Sequence, residues 1–106
     1  MKIVVLKFGG TSVGTEKRIK KVTKIIKETQ TKKIKIGYKF GLEFFNSKNG
    51  RKFISNLRNK VIFIDLKLHD IPNTMKSTVI ALKDLDINYL TVHIGSGLKA
   101  LKEVKK

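Results

Sequence analysis

Three charged residues stand closest to chemistry. Asp65, Lys67 and Asp70 fall together in the stretch Asp-Leu-Lys-Leu-His-Asp. On a strand, a spacing of two puts the Asp65 and Lys67 side chains on one face, with Asp70 following in a loop. Burying such charges is costly unless they are paired. An Asp/Lys/Asp array would keep the lysine charged between carboxylates. That suits a reaction needing an ammonium proton donor and electrostatic pressure on an anionic substrate. Spacing alone equally allows a strand-end ion pair beside a helix-capping loop. A second cluster is Lys7, Gly9, Gly10, Thr11 and Ser12. A lysine at a strand end, two glycines and then hydroxyls ahead of a helix can cradle a phosphate. An ordinary strand–turn–helix connection has the same look.

The elements that must position these residues follow from periodicity. Ile3 to Phe8 is an apolar, β-branched run closed by Gly9-Gly10, which predicts a buried strand. From Thr15 to Glu28, Ile19, Val22, Ile25 and Ile26 recur at helical spacing with lysines mainly on the other face, and Thr15 is the expected cap. Ile34, Ile36, Tyr38 and Phe40 alternate with Lys35, Gly37 and Lys39, a strand pattern. A turn is expected over 46–50 and a short helix over 51–59. Val61 to Leu66 is apolar up to Asp65, as in a buried parallel strand. Pro72 sits where a helix should start, and Met75, Val79, Leu82 and Leu85 mark one face of it. Tyr89 to His93 reads as a strand, Gly95-Ser96-Gly97 breaks it, and Leu98 to Lys106 reads as a basic helix. The order βαβαβαβα predicts an α/β fold of four βα units on a parallel sheet. Strand C-termini then share one edge, where ligands usually bind.

Composition narrows the classes. The chain has 106 residues, a net charge of +16 and no cysteine, which excludes a disulfide framework and thiolate metal sites. The length is too short for a closed eight-stranded barrel, which needs roughly 200 residues. No apolar run reaches the roughly 18 residues of a membrane helix, and no signal-peptide pattern opens the chain, so a cytoplasmic chain without membrane contact is expected. Only Arg18, Arg51 and Arg58 are arginines; the remaining basic residues are lysines. Sequence-specific nucleic-acid readers favour arginine, so the charge reads first as a solvated surface. Nonspecific nucleic-acid binding is still expected on electrostatic grounds. No metal site and no cofactor are expected.

The residues from Asp65 to Thr74 (Asp-Leu-Lys-Leu-His-Asp-Ile-Pro-Asn-Thr) resemble the signature of orotidine 5′-phosphate decarboxylase. Tyr38-Lys39-Phe40-Gly41-Leu42-Glu43-Phe44-Phe45 resembles that family's second strand. Leu90-Thr91-Val92-His93, with Gly95-Ser96-Gly97 after it, resembles its fourth. The resemblance covers residues 34–106. It implies a partial (β/α)₈ TIM-barrel-like fragment, here a half barrel, from an often dimeric family that converts orotidine monophosphate to uridine monophosphate without a cofactor. By residue matching, Lys39 joins a charged network, Asp65 crowds the substrate carboxylate and Lys67 protonates the C6 carbanion. Asp70, with Ile71 and Thr74, would complete the site of a second subunit. No chemical step is assigned to His93. The family's first-strand aspartate has no counterpart, nor do its strands five to eight with their phosphate-gripping loop, so little or no turnover is expected.

Lys7 to Gly14 (Lys-Phe-Gly-Gly-Thr-Ser-Val-Gly) resembles the opening motif of aspartokinase. That implies phosphate contacts for Lys7, Gly9 and Gly10 and a place near the amino-acid substrate for Ser12. The expected organisation is an aspartokinase-like βα segment over 1–30 and a decarboxylase-like partial barrel over 34–106. The first segment would stand in for the barrel's first βα unit, and two half barrels could cover their edges as a homodimer. The alternatives are an aspartokinase-derived nucleotide-binding fragment and a gene remnant without function.

Overall fold

In the computed structural model, which describes residues 3–6, 14–30 and 35–105, strands and helices alternate along the chain. The strands are β1 (Ile3–Leu6), β2 (Lys35–Gly41), β3 (Val61–Leu68) and β4 (Tyr89–Val92). They lie in sequence order in one sheet, and every neighbouring pair is parallel. Between them run α1 (Glu16–Gln30), α2 (Leu42–Asn46), α3 (Gly50–Ser55) and α4 (Pro72–Ala81), and α5 (Gly97–Lys105) follows β4. This is the expected α/β arrangement of four βα units, a partial barrel of the TIM type.

Local signals account for most boundaries. The Thr15 hydroxyl accepts from the Arg18 amide at 3.4 Å, so the expected cap of α1 is present. Pro72 opens α4, where its missing N–H costs no helical bond. Three expectations need correction. Residues 42–46 form α2 directly after β2, although Gly41 supplies no side-chain cap. The helix expected over 51–59 is only α3, closed by Asn56, whose N–H reaches the Ile54 and Phe53 carbonyls. Likewise α4 stops at Ala81; Leu82 and Leu85 stay on the buried face, but through a 3₁₀ turn at Lys83–Leu85 that ends on left-handed Asp86.

Strand alternation divides the sheet into two faces. Ile62 and Ile64 of β3 are fully buried and pack with Ile54, Leu82 and Leu85 under the helices. Phe63 points the other way. Its ring meets Tyr89 edge-on at 6.1 Å between centroids, and the Lys39 ammonium lies 5.2 Å from its centre. Asp65, two residues on, shares that face and is buried at 8% exposure. The helix-covered face therefore carries the core, and the opposite face carries the charged side chains. At the far end of β3, Arg51 ties α3 to the turn after α4, donating to the Ala81 carbonyl and to Asp84 at 2.8 and 2.7 Å. No described helix is long and apolar enough to cross a membrane.

Candidate active site

The site gathers at the C-terminal ends of β2, β3 and β4. Register places Lys39 beside Phe63 and Gly41 beside Asp65. From there the Lys39 ammonium reaches Asp65 Oδ2 at 2.7 Å. The other carboxylate oxygen, Oδ1, accepts from the Lys67 ammonium at 2.9 Å and from the Thr91 hydroxyl at 2.8 Å. Asp65 is thus a buried carboxylate held by two cations and a neutral donor. Its carboxyl is pushed well below the ordinary value of 3.8, chiefly by the bonds from Lys39, then Lys67, then Thr91, and burial opposes them. The group is an anion throughout the physiological range, so it can repel a second anion brought against it. Each lysine is spared an unpaired charge, yet Lys67 keeps 70% of its side chain exposed.

The spacing of two does bring Asp65 and Lys67 together, but the strand between them is irregular. The β3–β4 ladder shifts register between Ile64 and Leu68. Lys67 itself has φ +49°, in the left-handed region. A non-glycine residue there costs about 1–2 kcal/mol. Bulges of this kind bend a strand and re-aim a side chain.

Asp70 lies apart from this network. Its Oδ1 accepts from the adjoining Ile71 amide at 2.7 Å, at the mouth of α4. Asp70, Ile71 and Thr74 are all exposed, Ile71 at 65%. The phosphate-cradle residues Lys7, Gly9, Gly10 and Ser12 lie outside the described residues.

Two features were not anticipated. One is Thr91, which reads in sequence as an ordinary β-branched strand residue. The other is a pair of parallel imidazoles, His69 on His93, 4.4 Å between centroids. Their motifs flagged both neighbourhoods, but nothing in the spacing pairs residues 24 positions apart. His93 also accepts from the Gly95 amide at 3.0 Å and so caps the turn Ile94–Ser96. Among the described residues no group of three or more His, Asp or Glu is arranged to hold a metal ion.

Comparison with known proteins gives a consistent picture. A family profile described as "Orotidine 5′-phosphate decarboxylase / HUMPS family" matches residues 13–106. That span starts inside the segment that resembles aspartokinase. An orotidine 5′-phosphate decarboxylase of Wolbachia pipientis is 51% identical over 67 residues, 61% of this chain and 29% of that protein. One from Prochlorococcus marinus is 46% identical over 70 residues, 64% of this chain and 28% of the relative. One from Listeria monocytogenes is 41% identical over 73 residues, 67% of this chain and 31% of the relative. The matched stretch thus spans under a third of the length of these curated relatives.

Proposed function

The chain belongs to the orotidine 5′-phosphate decarboxylase / HUMPS family, and on that premise we propose that it carries the charged half of a decarboxylation site for orotidine monophosphate. The observation that carries this reading is the Asp65 carboxylate held between Lys39 and Lys67 at 2.7 and 2.9 Å. An anionic substrate carboxylate beside Asp65 would be repelled in the ground state and relieved as it departs as carbon dioxide. The electron pair left on C6 would take a proton from the Lys67 ammonium, giving uridine monophosphate, and solvent would reprotonate the amine. Lys39 would hold Asp65 in place and ionised. No step requires a metal or an organic cofactor.

Asp70, Ile71 and Thr74 would serve a second copy of the chain, which their exposure permits. The chain would then act as a homodimer. The division into segments 1–30 and 34–106 belongs to the same proposal. It has β1–α1 serving as the first βα unit, in keeping with the parallel pairing of Ile3–Leu6 against Lys35–Tyr38. No observation favours the aspartokinase-derived alternative for Lys7, Gly9, Gly10 and Ser12, and the net charge of +16 is met by a solvated lysine surface without nucleic acid.

The test is an amide ¹⁵N correlation spectrum titrated with orotidine monophosphate, followed by an assay for carbon dioxide release. Shifts concentrated at residues 39, 65–70 and 91–96 are expected. Any turnover should fall by about 10²–10⁴-fold in Lys67→Ala, as for loss of a general acid. A titration that leaves those amides unmoved, or turnover that survives Lys67→Ala, would overturn the reading.

A further inference from the structure

Ile64 pairs with Leu90 and Leu68 with Val92, so Asp65, Leu66 and Lys67 stand opposite Thr91 alone. Such a gap frees backbone donors from the ladder, and each must find another partner. The Lys67 N–H is one of them, turned aside by its φ of +49°. It donates to Thr91 Oγ1 at 2.9 Å. An amide N–H cannot accept, so the hydroxyl's single proton goes the other way, to Asp65 Oδ1 at 2.8 Å. That same oxygen receives the Lys67 ammonium at 2.9 Å. The contacts close a ring: Lys67 N–H to Thr91 Oγ1, Thr91 O–H to Asp65, and Lys67 Nζ back to Asp65. One hydroxyl therefore fixes Lys67 at its backbone and, through Asp65, at its head.

We propose that Thr91 is a positioning residue for the reaction, seated in the β3–β4 register gap to hold the Lys67 ammonium and the Asp65 carboxylate in one relative geometry. What Lys67 then does rests on the decarboxylase reading; the ring itself does not. Asp65 Oδ2 is taken by Lys39, and Oδ1 is the oxygen that Thr91 and Lys67 share.

The experiment compares Thr91→Val, which keeps the shape and removes the hydroxyl, with Thr91→Ser, which keeps the hydroxyl, in the full chain. Hydrogen exchange is read at the Lys67 amide against the Ile62 amide, which donates to the Asn88 side chain at 2.8 Å and serves as an internal reference. In Thr91→Val the Lys67 amide should exchange at least about tenfold faster, with Ile62 unchanged, and in Thr91→Ser it should stay within about threefold of wild type. Single-turnover decarboxylation should fall about 10- to 100-fold in the valine variant with orotidine monophosphate affinity within about threefold. An unchanged Lys67 exchange rate in Thr91→Val would overturn the proposal. Faster exchange in a chain whose wild type releases no carbon dioxide would uphold the ring and remove the decarboxylase reading alone. Should the valine variant fail to fold, wild type still decides: a Lys67 amide as protected as Ile62 supports the ring, and one that exchanges like an exposed loop amide rules it out.

Discussion

Two lysine–carboxylate contacts in this molecule have the same length and different settings. Lys20 meets Glu16 on α1 at 2.7 Å, with side chains 74% and 82% exposed. Lys39 meets Asp65 at the same 2.7 Å, with side chains 24% and 10% exposed. On α1 both charges remain hydrated, salt screens them, and the pair is one of several optional contacts along a helix surface. At the strand ends little water is left to compete, a second lysine and a hydroxyl complete the carboxylate, and its proton affinity is strongly lowered. Separation alone therefore says little about what an ion pair does. What matters is how much water each partner gave up and what else holds it.

The comparison can be strained first by loosening the wall behind the inner pair. Ile64 is fully buried beside Asp65 in sequence and on the opposite face. Ile64→Ala should cost about 2–5 kcal/mol in urea unfolding, as for other large-to-small core changes. A loss under about 1 kcal/mol would mean that β3 is not the rigid floor the inner pair needs.

A smaller effect sharpens it through acidity. The folded-state pKa of Asp65 lies below its ordinary 3.8. Its contribution to stability is then complete above that value and is lost as pH falls through the depressed one. The stability gap between wild type and Asp65→Asn should be constant from pH 7 to about 5 and narrow steadily below about 4. Urea midpoints across that range test it; a gap that widens toward low pH would contradict the sign. The smallest effect is expected on α1. A double-mutant cycle on Glu16 and Lys20 should give about 0.3–0.5 kcal/mol, shrinking in high salt. The same cycle on Lys39 and Asp65 should give a clearly larger coupling that salt barely moves. Equal couplings would erase the distinction.

Sequence patterning reached the inner region well and its details poorly. The Val61–Leu66 run, Pro72 and the alternation around Lys39 each carry a local physical signal, and each element stands where that signal puts it. Lys39, Asp65 and Lys67 are brought together as the motif resemblance implied. Asp70 is not in their network, because the chain turns at the start of α4 and leaves it on the rim. Thr91 was missed because a threonine in a strand is what propensity favours anyway. Its hydrogen bonds to Lys67 and Asp65 lie in a register gap, and register is a property of two strands at once. Short α2 escaped for a related reason: five residues with no capping side chain are held by packing of Phe44 and Phe45 on the core.

The left-handed backbone at Lys67 sets two physical demands against each other at one position. Judged by folding alone, position 67 would welcome glycine or asparagine, which enter that region cheaply, and would refuse valine or isoleucine. Judged by charge, it admits only a long cation that reaches Asp65. Lysine satisfies the second demand against the first. Position 67 is therefore where backbone and side chain disagree, and the ion pair to Asp65 is held against the local preference of the chain.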